Sequence, residues 1–332
     1  MLIAAARQEG NLTLNTMAGA VNRKAVDAFE EAYPGIRVEH TTYTTGSIWA
    51  PKVIQERDAG IHTWDVSQIP PNTALTTLKP AGIWESIRPA IVHPEVTADK
   101  SWRGGFEFGF IDTDRTLTYA FGITKNSGVW INSDMVKEGE IKSITDLLNP
   151  KWKGKMTFTD VRTGFTFLPA TAIRKRLGDD VMKRLFVDQQ PVYNRDRRLV
   201  NEQMIRGSYA ISIGISRVWL RDEYLPQGLG KNLVQLRTLE DTYLSEASVF
   251  LHKGAPHPNE AKLFINWILS KDGQAKWTEQ QDVNSRRTDV APVDPETAVE
   301  DGEEKKFPRL QTEEAQDYVE ETRIMLEKLT GA

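Results

Sequence analysis

Between residues 11 and 67 the chain alternates strand-like and helix-like segments, and this order constrains the fold more than any other feature. Asn11-Leu12-Thr13-Leu14-Asn15-Thr16 alternates apolar and polar residues with the period of a strand. From about Val21 the spacing changes, and Val21, Ala25, Val26, Phe29, Ala32 and Tyr33 share one helical face until Pro34-Gly35 stops it. Ile36-Arg37-Val38-Glu39 reads as a second strand, residues 48–59 as a second helix and Trp64-Asp65-Val66-Ser67 as a third strand. A β-α-β-α-β order implies a parallel sheet covered by helices, and so an α/β chain.

The same style returns further on. Gly128-Val129-Trp130-Ile131 and Lys155-Met156-Thr157-Phe158 are strand-like, and Ser143 to Leu148 reads as a capped helical turn. The loop Asp160-Val161-Arg162-Thr163-Gly164 leads to a helix near 168–177. Residues 198–206 read as a helix, Tyr209 to Ile213 as a short buried strand, Ala247 to Leu251 as a strand and Ala261 to Leu269 as a strongly apolar helix. The stretch 292–304, rich in Pro, Asp and Glu, reads as surface loop. Residues 312–329 read as a last amphipathic helix, with Ala315, Tyr318, Val319, Ile324 and Leu326 as its core contacts. The short start, Met1 to Gly10, reads as an amphipathic helix. A length of 332 residues suggests two domains.

Composition narrows the function. With 42 basic and 46 acidic residues the chain lacks the basic surplus of a nucleic-acid binder. It has no cysteine, which excludes thiol catalysis, disulfides and cysteine-ligated metal. No run approaches the roughly 20 apolar residues that cross a bilayer. His40, His62, His93, His252 and His257 show no metal-binding spacing and read mostly as surface or cap residues. There is no G-x-S-x-G elbow and no P-loop, so neither catalysis nor a cofactor is expected. The nine tryptophans are expected mostly in packing, and Arg195-Asp196-Arg197-Arg198 as a solvated helix start, with one arginine reaching a binding cleft as the alternative.

Four stretches together resemble family 1 extracellular solute-binding proteins, the receptors of bacterial ABC importers, and most closely their ferric-binding branch. They are Ala4 to Leu12; Tyr119 to Ile123 followed by Gly128 to Asn132; Asp146-Leu147-Leu148-Asn149-Pro150-Lys151-Trp152-Lys153-Gly154-Lys155; and His252 to Ala261 running on through Phe264, Ser270, Gly273 and Gln274. The resemblance covers about residues 2–290. It implies a two-lobed periplasmic-binding-protein fold of type II, with solute held between lobes that close about a hinge. The lobes would be 1–123 with 247–290 and 124–246, followed by a C-terminal loop and helix, 291–332. It also implies a monomer in the periplasm or outside the cell, delivering solute to a membrane permease. No signal peptide precedes Leu2, and the expectation is that one is removed.

The candidate binding residues lie where strand-end loops of α/β sheets gather. In the first lobe they are Thr16 and Met17, then Thr45, Gly46 and Ser47, then Gln68; small residues at a helix start suit either an anion or an ordinary N-cap. In the second lobe they are Arg162, Thr163 and Gly164, with Arg162 either gripping a carboxylate or phosphate or pairing with Asp160. Asn126 and Tyr243 flank the two crossovers. Arg217 is the most telling. The ferric-binding branch has two adjacent tyrosines where this chain has Arg217-Val218. A guanidinium cannot ligate a metal, so the departure favours a small anion (carboxylate, phosphate ester or oxyanion) with Arg217 as counter-charge. The other readings are an Arg217 paired with Asp222 or Glu223, ferric ion held by Tyr193, Tyr209, Tyr224 or Tyr243, and an enzyme on the same fold.

Overall fold

The computed structural model describes residues 1–332 apart from 18–19, 44–45, 216, 239 and 282, and side chains apart from these and 17, 20–21, 46–48, 165 and 218. Two compact units divide the chain. The first comprises Met1–Thr124, Ser245–Lys306 and Gln311–Gln316, and the second Lys125–Leu244, Phe307–Leu310 and Asp317–Ala332. Residues 291–332 are thus shared between the units rather than forming a body of their own.

The first unit opens with helix α1 (Leu2–Glu9), strand β1 (Asn11–Met17), helix α2 (Ala20–Ala32), strand β2 (Arg37–Tyr43), helix α3 (Gly46–Asp58) and strand β3 (Val66–Gln68). Short strand β4 (Trp84–Glu85) follows, and β5 (Thr118–Asn126) carries the chain out of this unit. The second unit holds β6 (Val129–Asn132), β7 (Met156–Thr159), helix α4 (Gly164–Leu177), β8 (Val192–Asn194), helix α5 (Arg197–Ile205), β9 (Ile211–Ile213) and β10 (Leu233–Gln235). Strand β11 (Tyr243–His252) brings the chain back, followed by helices α6 (Pro258–Leu269) and α7 (Lys271–Gln281); α8 (Gln316–Thr330) ends it.

In the first sheet β1 pairs in parallel with β2, from Asn11↔Arg37 to Met17↔Tyr43, and with β3 on its other side. The parallel expectation fails at β11, which runs antiparallel to both β3 and β4, with β5 also paired to it. A returning crossover strand enters from the far edge, so its direction is set by the topology and not by its own pattern. The second sheet has the order β10-β6-β9-β7-β8. Strands β8 and β9 run parallel to β7, while β6 is antiparallel to β9 and β10 to β6.

Helix α2 buries Ala25, Val26 and Phe29, and the Phe29 ring meets Phe264 edge-on at 5.1 Å and Trp267 at 5.2 Å. Burying such a ring stabilises by about 1.5–3 kcal/mol. Eight of the nine tryptophans are buried; Trp219 is half-buried. Two outcomes differ from the sequence reading. His252, read as a surface or cap residue, is buried with its Nε2 2.7 Å from the Ser67 Oγ, and burial pushes the imidazole down to about 3. Ile324 of α8, read as core, is exposed, whereas Val319 and Leu326 are buried.

The least expected core feature is Arg286, fully buried among aromatic rings. Its Nε donates to Ala120 O (3.0 Å), Nη1 to Arg103 O and Gly105 O (2.8 Å each) and Nη2 to Tyr119 Oη (2.5 Å). Its own amide bonds Phe121 O at 2.8 Å. A buried charge without donors to a partner would be prohibitive; here carbonyl dipoles and a phenol solvate it.

Candidate functional site

In a parallel sheet the loops after the strands gather at the carboxyl edge. In the second unit β7, β8 and β9 run parallel, so the loops that follow them emerge together. Those loops, residues 160–164, 195–198 and 214–217, carry Arg162, Arg195, Arg197, Arg198 and Arg217 against two carboxylates, Asp160 and Asp196.

Asp160 organises the first loop. It is buried, and its Oδ1 accepts Arg162 N at 3.0 Å and Arg162 Nε at 2.7 Å, while Oδ2 takes the second guanidinium nitrogen. Arg195 Nε lies 3.3 Å from the same Oδ2. Hydrogen bonding from Arg162 above all, opposed by burial, holds the Asp160 carboxyl down to about 2. Thr163 precedes α4, and its hydroxyl donates to Asp160 O at 2.9 Å. Thr159 Oγ1 contacts Thr166 Oγ1 at 2.5 Å and Thr163 Oγ1 at 3.3 Å. The loop after β9 can pass so close only because residue 214 is glycine. Its φ is +104°, and a Cβ there would lie 2.1 Å from Thr159 Oγ1.

Asp196 caps α5 by accepting from Arg198 N at 2.8 Å and Leu199 N at 3.3 Å. Arg197 and Arg198 lie over the Trp219 ring at 4.9 and 5.7 Å, and desolvation lowers the Arg197 guanidinium. Arg217 is exposed at the loop's end. Of the carboxylates near it in sequence, Glu223 pairs with Arg198 at 2.9 Å and Asp222 with Arg221 at 2.6 Å.

In the first unit the stretches that follow β1, β2 and β3 (18–19, 44–45 and 69–70) contain no charged residue in the sequence. Thr16 is fully buried, its Oγ1 2.8 Å from His40 Nε2, and Gln68 is half-buried. Thr45 lies outside the described residues, as do the side chains of Met17, Gly46 and Ser47. At the crossovers Asn126 Nδ2 donates to Tyr243 Oη at 3.0 Å, and Tyr243 is buried. These two residues satisfy each other, and Thr16 is engaged in the core. Asn126 is half-buried, as are Thr163 and Gly164, and Arg162 is exposed.

Residues 24–305 match the family described as bacterial extracellular solute-binding protein. The chain belongs to that family. An uncharacterized protein of Haemophilus influenzae is 28% identical over 156 residues, 44% of this chain and 44% of its own length, so the match spans less than half of that relative. Among solved structures, iron-bound HitA from Pseudomonas aeruginosa is similar with a TM-score of 0.71 and 19% identity, over 97% of this chain and 99% of that one. The spermidine/putrescine ABC transporter substrate-binding protein PotD from Streptococcus pneumoniae, in complex with calcium and HEPES, has a TM-score of 0.67 at 15% identity, over 96% of this chain and 98% of its own. At such identities the likeness concerns the fold, which is the two-lobed one of periplasmic binding proteins.

The phenols of this solute-binding protein are committed one by one. Tyr193 Oη donates to Phe186 O at 2.6 Å, Tyr243 accepts from Asn126, Tyr224 is buried beside Trp130 and Val200, and Tyr209 packs on the same cluster. Burial pushes the Tyr193 and Tyr243 phenols far up, away from the phenolate a hard metal needs. Among the described residues no group of three or more His, Cys, Asp or Glu side chains is set to hold a metal ion. Sequence reasoning singled out Arg162 and Arg217 but discounted Arg195, Arg197 and Arg198. The signal that unites them is the parallel pairing of β7, β8 and β9, which no local pattern carries.

Proposed function

We propose that this chain is the receptor of an ABC importer and that its solute is a small anion: a carboxylate, phosphate ester or oxyanion. The observation that carries this reading is the gathering of five arginines against two carboxylates in the loops after three parallel strands. Guanidiniums suit an oxyanion by bidentate pairing, and the amino end of α4 adds its helix dipole. A neutral solute would offer these guanidiniums no charge to pair with, and that difference supplies selectivity. The solute is released intact to a membrane permease, with closure of one lobe on the other biasing delivery, as monomer, in the periplasm or outside the cell.

Native mass spectrometry of the purified protein, followed by denaturing release, identifies what co-purifies. Titration calorimetry with that anion then tests Arg217→Ala, which is expected to weaken binding at least about tenfold, or about 1.4 kcal/mol. Unchanged affinity refutes the role of Arg217. Iron is the second reading, favoured by the similarity to iron-bound HitA. A charge-transfer colour on adding ferric citrate, surviving Arg217→Ala, would establish it in place of the anion.

A further inference from the structure

At the opposite, amino edge of the first sheet, α1 docks onto the start of α6 through its last residue. Glu9 Oε1 and Oε2 accept Asn259 N at 3.2 and 3.0 Å, Oε1 takes Asn259 Nδ2 at 2.6 Å and Oε2 takes Glu260 N at 2.9 Å. A carboxylate so placed satisfies first-turn amides of a helix of twelve residues. Asp65, fully buried just before β3, serves the same corner. Its oxygens accept Thr13 N and His257 N at 2.7 Å each and face His257 Nδ1 at 2.9 Å.

Glu260 stands between them and differs in kind. Its side chain is fully buried, and neither carboxyl oxygen has a hydrogen-bond partner. The nearby Gly10 amide is committed to Ala6 O at 3.0 Å, closing α1. The charged groups facing Glu260 are Glu9 from α1, Asp65 from the approach to β3 and His257 from the turn before α6. Arg88, on a turn packed farther along α6, is engaged by Glu107 at 2.8 Å. An ionised carboxyl here would be buried without a donor beside two acceptors already filled with N–H groups. A protonated one carries no charge and avoids that cost.

We propose that Glu260 holds a proton while α1 is docked and acts as a proton-operated latch, so that giving the proton to solvent sets three carboxylates against one another and releases α1 from α6. Burial, with Glu9 and Asp65 adding to it and His257 opposing, pushes the Glu260 carboxyl up to about 7, so the latch works in the range where external pH varies. The latch concerns the amino edge and is independent of which solute the carboxyl edge takes.

Hydrogen exchange read by mass spectrometry on the full chain tests this. After correction for the chemical exchange rate, residues 2–10 of the wild type are expected to open about tenfold more at about pH 8.5 than at about pH 5.5. Glu260→Gln, which keeps shape and removes the titration, is expected to behave alike at both. A flat wild type, or a variant that follows the wild type, overturns the proposal. Infrared spectra give a measurement on the wild type itself. A buried protonated-carboxyl band present at about pH 6 and gone by about pH 8.5 is expected, and its absence at about pH 6 overturns the latch.

Discussion

Asp160→Asn separates charge from packing at the candidate site. In the wild type, the Arg162 guanidinium at 2.7 Å and Arg195 at 3.3 Å hold the Asp160 carboxyl at about 2 against an ordinary 3.8. A folded-state value below the unfolded one means that folding favours the ionised form. The stability it contributes is therefore fully present above about pH 4–5 and is lost as pH falls toward 2. At 1.36 kcal/mol per unit the gap corresponds to about 2.4 kcal/mol before screening. Arg162 is 39% exposed and Arg195 81%, so solvent reduces this to about 1 kcal/mol. Urea melts are expected to show the variant about 1 kcal/mol less stable at pH 7, with the deficit shrinking to roughly half by about pH 3, where the wild type has begun to lose the term. A deficit of the same size at both values would mean that Asp160 acts through its hydrogen-bond shape and not its charge. No deficit at all would refute the pairing. The same variant leaves the edge one charge more positive, so titration with the identified anion should show tighter binding.

Two further substitutions probe the framework. Arg286→Met strands three carbonyls and the Tyr119 phenol in the core and is expected to cost about 1–3 kcal/mol in a urea melt, the penalty of leaving buried polar groups unsatisfied. Gly128→Ala would place a Cβ 2.4 Å from Pro169 Cγ and 3.2 Å from Ile213 Cγ2, and thermal unfolding should show a loss of about 1–3 kcal/mol from overpacking against a ring that cannot rotate aside.

Much of the first unit is legible in order along the chain. The helical spacing from Val21 gives α2 because one face of it is buried against the core, whereas β1 is buried on both faces, Thr13 and Asn15 as fully as Leu12 and Leu14, so its alternation marks which face joins the apolar cluster and not which is covered. Strand direction is not written that way. Tyr243–His252 looks like any apolar strand, and its antiparallel placement follows from where the chain has been. Helix α4 starts at Gly164, earlier than the apolar spacing near 168 suggests, since the turn that Thr163 closes on Asp160 O and not a buried face sets its beginning. Arg286 carries a charge and reads as surface; the carbonyls that solvate it come from residues more than 160 positions away. Glu260 likewise looks like a helix's ordinary first-turn acid, and only Glu9 and Asp65, distant in the chain, make it unusual.

Neither compact unit is one continuous stretch of chain. The first needs residues 245–306 and 311–316, and the second needs 307–310 and the final helix. Each core is therefore stitched from segments that lie on both sides of residues belonging to the other, so no single contiguous stretch completes either of them, and loss of residues 307–332 would leave both unfinished.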